Sequence, residues 1–361
     1  MMRYKDHYQN WRKDPQEFWA DQAKFLKWQT APEKIFEHNE SGDRWYVGGV
    51  MNTCFNCVDR HVEAGHGARI AFIHDSPMTG TKSQISYAEL LDRVQCVATM
   101  MQDKGIEKGD RVIIYMPMIV ETAIAALACA RLGAIHSIVF GGFAAAELAT
   151  RLDDAKPKLV LAASCGLEPG RIIDYKPLLD GAIELASHKP EACIIWQRDE
   201  APAPLISGRD FEWQPLENQA RAADRRAICV PVLATDPLYI LYTSGTTGVP
   251  KGVVRDNGGH AVALNWSMRY IYDVSPGDVY WAASDIGWVV GHSYITYAPL
   301  IYGCTSILFE GKPIGTPDAG VFWRVIAEHQ VKVLFTAPTA FRAIKRADPD
   351  GKFLRKHDTS C

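Results

Sequence analysis

The chain has 361 residues, a formal net charge of -3 and a sequence pI of about 6.4. This length exceeds what one compact core usually organises, so two or three subdomains are expected. The nearly balanced charge and the lack of a dense Lys/Arg block argue against a nucleic-acid surface, so a small anionic substrate must be met by local charge.

The nine cysteines are scattered along the chain, which is typical of reduced core residues and predicts a reducing, cytoplasmic location. Cys54 and Cys57 have the C-x-x-C spacing. No second pair accompanies them, so core packing is the main interpretation and a metal or redox role is the alternative. No metal ligand set is predicted within the chain.

The N-terminus predicts no targeting segment, and the interior predicts no membrane segment. Residues 1–7 contain no apolar h-region and include an acid, so no signal or transit peptide is expected. The longest uncharged run, 286–309, is interrupted by three glycines and a proline. It therefore predicts buried backbone at a site, with no membrane partner.

The first half of the chain begins with an aromatic segment and continues as alternating strands and helices. Residues 3–40 predict short helices held to a larger body by aromatic anchors. Ser86 and Glu89 form a capping box at the start of a helix. The further predicted elements are a helix reaching Gly105, a strand at 111–116, a helix at 123–132, a strand at 135–140, a helix at 144–153 and a strand at 158–163.

The second half repeats this alternation without an internal sequence repeat. The predicted strands are 238–243, 278–283, 304–309 and 331–336, and the predicted helices are 258–271, about 292–302, 318–329 and one from Pro338. Residues 200–234, rich in Pro, Arg, Asp and Ala, predict a surface connector. The fold class is therefore α/β, with two parallel-rich sheets layered with helices and a small aromatic N-terminal arm.

The stretch Tyr242–Gly252 has the composition of a phosphate-binding loop. It follows an apolar strand and leads toward a helix, and it combines hydroxyls, glycines and a lysine. Gly252 stands where the usual P-loop needs a hydroxyl residue. A flexible linker is the alternative. The phosphate-binding candidates are Thr243, Ser244, Gly245, Thr246, Thr247, Gly248 and Lys251.

This stretch, Tyr-Thr-Ser-Gly-Thr-Thr-Gly-x-Pro-Lys-Gly, resembles the signature of the adenylate-forming acyl-CoA synthetases. In that family the loop closes over the β- and γ-phosphates of ATP while a carboxylate attacks the α-phosphorus. The resemblance implies ATP, Mg²⁺ and coenzyme A as cofactors and a catalytic charge on Lys251. It divides the chain into an N-terminal arm, 1–60, and an AMP-binding domain, 61–361, incomplete at its C-terminus.

A second segment contains the candidates for contact with coenzyme A. Phe140–Phe143 places two glycines at a strand-to-helix turn, where free N–H groups suit an anion, although a plain tight turn is equally consistent. In the resembling family a later Gly/Arg loop contacts coenzyme A. The implied candidates are Gly141, Gly142, Glu168, Pro169, Gly170 and Arg171. Glu168 stands where acetyl-CoA synthetases commonly carry an arginine, and it resembles the propionyl-CoA synthetase branch.

A third segment, Ser284–Tyr294, resembles the family's acyl pocket. Trp288, Val289 and Val290 would form its apolar wall, and a buried turn without a ligand is the alternative. Val290 stands where many acetyl-activating relatives have threonine, which favours propionate over acetate. His292 either polarises the carboxylate or satisfies a buried backbone group.

The resemblance therefore predicts a ligase that converts a short carboxylate, most consistently propionate, through an acyl adenylate to the acyl-CoA thioester. The family continues past Cys361 with a small mobile domain that carries a catalytic lysine, so the chain alone is expected to turn over poorly. Acetate as the main substrate, a non-catalytic ATP- or CoA-binding fragment, and adenylation for a carrier protein are the alternatives. The oligomeric state stays open.

Overall fold

A computed structural model describes residues 4–40, 42–243 and 251–360. The chain begins with helices α1, Tyr4–Lys13, and α2, Pro15–Ala23, followed by the hairpin of β1, Lys34–Asn39, and β2, Gly42–Val47. Trp19 packs edge-on against Trp266 of the main body, with 5.8 Å between ring centroids. The predicted aromatic anchoring of the arm is therefore confirmed, and the hairpin is an addition.

The first half of the main body alternates as predicted. Ser86 Oγ accepts a hydrogen bond from the Glu89 N–H, and Glu89 accepts one from the Ser86 N–H, which confirms the capping box. The elements are β3, Val50–Met51; π-helical turns Phe55–Asp59 and Val62–His66; β4, Ile70–Ser76; β5, Thr81–Ser86; α3, Tyr87–Gln102; β6, Arg111–Tyr115; α4, Val120–Leu132; β7, Ile135–Ile138; α5, Ala145–Ala155; and β8, Leu159–Ala163.

The middle of the chain differs from the predicted surface connector. Its elements are β9, Cys165–Glu168; β10, Arg171–Asp174; α6, Tyr175–Leu185; β11, Ala192–Trp196; β12, Asp210–Glu212; α7, Trp213–Ala222; β13, Val232–Leu233; and β14, Pro237–Thr243. Strand β12 pairs in parallel with β11, and the Trp213 side chain is fully buried. The prediction for 200–234 was therefore wrong in part, because the segment adds an edge strand and a packed helix.

The last third carries a strand that the sequence pattern did not indicate. Strand β15, Lys251–Asp256, pairs antiparallel with β14 before the helix begins. The elements that follow are α8, Gly258–Tyr270; β16, Val279–Ala283; α9, Val289–Gly291; a π-helical turn, His292–Tyr297; α10, Ala298–Tyr302; β17, Thr305–Phe309; α11, Val321–His329; β18, Val331–Thr336; α12, Pro338–Ala347; and a 3₁₀ turn, Leu354–Lys356.

Two mostly parallel sheets form the scaffold, which confirms the predicted fold class. The seven-stranded sheet has the order β12-β11-β8-β6-β7-β14-β15, and the five-stranded sheet has the order β18-β16-β17-β4-β5. Only β15 and β5 run antiparallel to their neighbours among these described strands. Every residue of α4 from Glu121 to Leu132 is buried, as expected of a helix enclosed between layers. Within the described ranges no helix is long and apolar enough to span a membrane.

Candidate active site

The carboxyl ends of strands from both sheets meet at one cavity of about 470 Å³, called the central cavity below. Ligands of open α/β sheets bind at such ends, where the connecting loops leave a crevice. From the seven-stranded sheet the wall includes Met118, after β6, and Phe140–Gly142, after β7. The five-stranded sheet contributes Ala283–Asp285, after β16, and Phe309–Pro313, after β17. The topology therefore forms a site from segments far apart in sequence.

The predicted phosphate loop joins β14 to β15 at this same edge of the seven-stranded sheet. Thr243 and Lys251 are direct partners in the antiparallel register, so the two ends of the loop lie side by side. Both residues are exposed. The intervening candidates Ser244, Gly245, Thr246, Thr247 and Gly248 lie outside the described residues.

Arg151 connects the base of this loop to the turn after β7. Its guanidinium lies 4.4 Å from the ring centroid of Phe143 and 5.5 Å from that of Tyr242. Tyr242 in turn donates a hydrogen bond of 2.6 Å to Asp154. Arginine over aromatic faces is an attractive arrangement, so Arg151 of α5 joins the end of β14, at Tyr242, to the glycine turn, at Phe143.

The glycines of the turn after β7 are required by close packing. A Cβ atom on Gly141 would lie 1.9 Å from the hydroxyl of Tyr175, and one on Gly142 would lie 2.2 Å from the ring of Phe140. Tyr115 donates a hydrogen bond of 3.0 Å to the Phe143 carbonyl and fixes the far end of the turn. The predicted Gly141 and Gly142 therefore line the central cavity with bare backbone.

The predicted Gly/Arg loop is a β-hairpin. Strands β9 and β10 pair Glu168 with Arg171, and Pro169 and Gly170 form the turn, where Gly170 takes a φ of 76°. Only Glu168 of these four lines the central cavity within the described chain. Its carboxylate lies 3.0 Å from the ammonium of Lys312, which arrives from the opposite sheet. This ion pair spans the cavity, and sequence reasoning had not assigned Lys312 to a site.

Asp285 and Trp288 occupy the opposite wall. Burial raises the pKa of Asp285 to about 6, while the Gly287 N–H, which donates to its carboxylate at 2.8 Å, acts in the other direction. The indole of Trp288 is 46% exposed and stacks on Phe140, with 5.7 Å between centroids. A carboxyl group with a raised pKa beside an exposed aromatic face indicates a functional cavity. Asp285 lies within the segment Ser284–Tyr294, but its sequence context did not indicate a role for it.

His292 lies beneath this wall, fully buried. Its Nδ1 donates to the Trp288 carbonyl at 3.1 Å, and its Nε2 accepts from the Ile138 N–H at 3.3 Å, which assigns the neutral tautomer. Burial lowers the pKa of His292 to about 4. This geometry favours the second interpretation of His292, in which its ring satisfies buried backbone groups. The ring thereby links β7 to the segment Ser284–Tyr294.

The three apolar candidates of that segment point to different places. Trp288 lines the central cavity. Val289 lines a separate cavity of about 490 Å³ between the arm and α8, together with Trp45 and Tyr46. Val290 packs against the main hydrophobic core. The structure therefore brings Trp288 to the central cavity and places its two neighbours around it rather than within it.

A buried ion pair supports the floor of the central cavity. Arg198 makes two hydrogen bonds to Glu310, of 2.6 and 3.1 Å, and Ser76 donates a third to the same carboxylate. Both charged side chains are nearly inaccessible, with exposed fractions of 6% and 5%. No local sequence signal connects Arg198 to Glu310, since 112 residues separate them.

Comparison with known proteins identifies the class. Residues 58–360 match the model of the AMP-binding enzyme family, and residues 4–57 match the acetyl-coenzyme A synthetase N-terminus. The chain therefore belongs to the AMP-binding enzyme family, with an N-terminal arm of the acetyl-coenzyme A synthetase type.

The relatives that it resembles include short-chain acyl-CoA synthetases. It is 53% identical over 348 residues to the mitochondrial acyl-CoA synthetase short-chain family member 3 of Rattus norvegicus, covering 96% of this chain and 50% of the relative. It is 46% identical over 363 residues to the propionate–CoA ligase of Escherichia coli, covering 99% and 56%. An uncharacterized protein of Pseudomonas aeruginosa is 55% identical over 346 residues, with 96% and 54% covered. The chain spans about half the length of these curated relatives.

Proposed function

We propose that the protein to which this chain belongs activates a short-chain carboxylate with ATP and transfers the acyl group to coenzyme A. The main observation in support is that the carboxyl ends of strands from both sheets meet at the central cavity. Thr243 and Lys251, the two ends of the candidate phosphate loop, lie at that same edge of the seven-stranded sheet. The family match and the short-chain acyl-CoA synthetases among the relatives support the same reaction class.

In the first half-reaction the carboxylate oxygen attacks the α-phosphorus of ATP, a P–O bond forms, and pyrophosphate leaves. We assign Lys251 to the charge of the leaving phosphates and the loop residues 243–248 to hydrogen bonding with them. Mg²⁺ accompanies nucleotide phosphates and usually keeps several waters, so it needs one or two carboxylates at most. Catalysis then depends on positioning and charge rather than on a protein nucleophile.

In the second half-reaction the thiol sulfur attacks the acyl carbon and AMP leaves. We assign Gly141, Gly142 and the hairpin residues Glu168–Arg171 to the coenzyme A side of the cavity. Trp288 forms the wall between that side and the acyl side. Val289, Val290 and His292 act behind Trp288, where they hold the segment that shapes the acyl pocket.

Propionate is the acid that we propose. By the family resemblance, Val290 stands where many acetyl-activating relatives have threonine, and it packs in the core behind Trp288, where it acts on the acyl pocket indirectly. A relative at 46% identity is a propionate–CoA ligase. One methylene in an apolar pocket changes selectivity by about 1–3 kcal/mol. We also propose a cytoplasmic location, because the described cysteines are all free thiols.

Calorimetric titration of the 361-residue chain with MgATP tests the nucleotide half of this proposal. We expect Lys251→Ala to weaken ATP binding about tenfold to a hundredfold, since a charge-assisted contact contributes about 1.5–3 kcal/mol. Lys13→Ala, on an exposed position of α1, is the matched control and should leave binding unchanged. Equal ATP affinity in all three proteins would contradict the assignment of Lys251.

Isotope exchange between pyrophosphate and ATP tests the carboxylate half. Exchange is measured with propionate and with acetate on the whole protein to which this chain belongs, using the E. coli propionate–CoA ligase in parallel as the positive control. Propionate-dependent exchange supports an adenylating enzyme. ATP binding without exchange under conditions in which the control is active supports the alternative, a nucleotide- or CoA-binding module.

A further inference from the structure

Cys54 and Cys229, 175 positions apart in sequence, meet beneath the N-terminal arm. Their sulfur atoms and a carboxylate oxygen of Asp59 all lie within 4.8 Å of one another. Cys54 is fully buried, and Cys229 is half-buried. The sulfur of Cys57 lies 4.0 Å from the Tyr297 carbonyl. The thiol that approaches Cys54 from a distant segment is therefore that of Cys229.

The backbone on either side holds the two cysteines opposite each other. In the antiparallel pair of β3 and β13, Met51 faces Val232. Cys54 lies three residues after Met51 and Cys229 three residues before Val232, so the two segments run toward the pair from opposite directions. Asn52 donates a hydrogen bond of 2.9 Å to the Val230 carbonyl between these positions. A strand pair and a side-chain hydrogen bond therefore hold the two segments together, and the Cys54 and Cys229 sulfur atoms lie within 4.8 Å of each other.

Charge around the pair favours sulfur chemistry over a metal ion. Arg131 Nη1 lies 2.9 and 3.0 Å from the two Asp59 oxygens and 3.8 Å from the sulfur of Cys54. This buried guanidinium already neutralises Asp59 and repels a further cation. The hydrogen bond with Cys54, together with burial, raises the pKa of the Cys229 thiol. Oxidation is therefore expected to be slow at neutral pH.

Small molecules can reach Cys229. A cavity of about 530 Å³ opens at this thiol, and its wall includes Trp28, Phe55 and the neighbouring Ile228, whose side chain is 76% exposed. Cys229 thus faces the entry path, with Cys54 behind it. Access therefore makes Cys229 the thiol that an oxidant meets first, although slowly because of its raised pKa, and places Cys54 as the resolving thiol.

We propose that Cys54 and Cys229 are a dithiol modification site that a hydroperoxide converts into a disulfide. The Cys229 sulfur attacks the terminal peroxide oxygen, the O–O bond breaks, and an alcohol or water leaves with the formation of a sulfenic acid. The Cys54 sulfur then attacks the Cys229 sulfur, and water leaves with the thiol proton. The disulfide joins the start of the π-helical turn Phe55–Asp59 to the segment before β13, and a dithiol reductant restores the pair.

The test is limited oxidation of the 361-residue chain with hydrogen peroxide, followed by native alkylation and peptide mass mapping without reduction. We expect a cross-linked peptide that joins Cys54 to Cys229. Its mass should equal the sum of the two thiol peptides minus two hydrogen atoms. Dithiothreitol should abolish it. Cys229→Ser should lack it, and Cys57→Ala should retain it. The oxidised wild type should also unfold several degrees higher than the reduced form, a difference that Cys229→Ser loses.

The wild-type map decides the question even if a variant folds poorly. A Cys54–Cys57 link, or alkylation of both Cys54 and Cys229 after other thiols have been oxidised, would overturn the proposal. So would a stoichiometric zinc ion that protects both thiols until a chelator removes it. None of these outcomes depends on adenylate formation, so the proposed enzymatic function can fail or hold independently.

Discussion

Lys312 and Glu168 form an ion pair across the central cavity, with 3.0 Å between Nζ and Oε1. Glu168 ends β9 and Lys312 follows β17, a strand of a different sheet, and the Lys312 and Glu168 side chains are 43% and 27% exposed. The pair therefore sits where an anionic ligand would enter, and it places a negative charge beside that ligand. Its contribution to stability should be small, because a partly exposed ion pair typically contributes about 0–1 kcal/mol.

Glu168→Gln should strengthen coenzyme A binding to the chain by about two- to fivefold at low salt, since it removes a negative charge next to the phosphates and releases Lys312. Lys312→Ala should weaken binding. Calorimetric titration at 20 and 200 mM salt measures both effects, and the gain in Glu168→Gln should shrink at the higher concentration. Weaker binding in Glu168→Gln would show instead that Glu168 holds Lys312 in its binding position.

Gly141→Ala should destabilise the fold strongly. The added Cβ would lie 1.9 Å from the Tyr175 hydroxyl, and Tyr175 is only 5% exposed, so backbone or ring must move. We expect a loss of about 2 kcal/mol or more in the free energy of unfolding, measured by urea denaturation.

Gly181→Ala is the matched control for this change. Gly181 lies within α6, where an added Cβ would meet Ala145 Cβ at an ordinary 3.4 Å. The same chemical change should there be neutral or stabilising by about 0.5–1 kcal/mol, because glycine is a poor helix former. Equal effects of the two substitutions would contradict the close packing of the Gly141 turn.

The parts of the fold that the sequence predicted are those that local chemistry determines. The capping box of Ser86 and Glu89 acts within four residues, and the buried parallel strands are continuous apolar runs such as Leu159–Ala163. Strands β12 and β15 were missed because both are edge strands, whose formation depends on the neighbouring strand. β12 has only three residues, and β15 is exposed at all positions but its last. Their own residues carry little signal.

The same distinction applies to the candidate site. The glycine turn at Gly141 and the candidate phosphate loop could be predicted because each is a continuous stretch of suitable residues. The cross-cavity partner of Glu168 lies 144 residues away in sequence, and the Ile138 N–H that His292 accepts from lies 154 residues away. Such pairs are formed by the topology of the two sheets, so one sequence without the fold gives no means of predicting them.

Replacing Arg198 with alanine should lower the free energy of unfolding far more than replacing an exposed arginine. Arg198→Ala leaves Glu310, a side chain 5% exposed, without its cation beneath the central cavity. We expect a loss of about 3–5 kcal/mol in the free energy of unfolding. Arg225→Ala is the control, since Arg225 bonds Asp103 with both side chains about half exposed. That change should cost at most about 1 kcal/mol.

Urea denaturation of both variants at the same pH measures this difference. If Arg198→Ala were as mild as Arg225→Ala, water would have to reach Glu310 in the folded protein. The cavity floor would then be open rather than closed by this pair.

Buried histidines should make the protein less stable as the pH falls below about 6.5. Burial lowers the pKa of His292 to about 4, while an unfolded histidine titrates near 6.5. Between these values the unfolded chain binds a proton that the folded chain does not, so the free energy of unfolding falls with decreasing pH. One such group contributes a slope of up to about 1.4 kcal/mol per pH unit. His61 and His260, with pKa values lowered to about 4 and about 3, act in the same direction.

The contribution of His292 is isolated by comparing wild type with His292→Gln from pH 4.5 to 7.5. Glutamine offers a donor and an acceptor for the Trp288 and Ile138 backbone groups but does not titrate. The variant should be less stable at pH 7.5, and its stability should fall less steeply between pH 6.5 and 4.5. His38→Gln, on the exposed β1–β2 hairpin, controls for the loss of a histidine at the surface. An identical slope in wild type and His292→Gln would mean that the buried ring accepts a proton while the protein stays folded, which requires Ile138 to give up its hydrogen bond to Nε2.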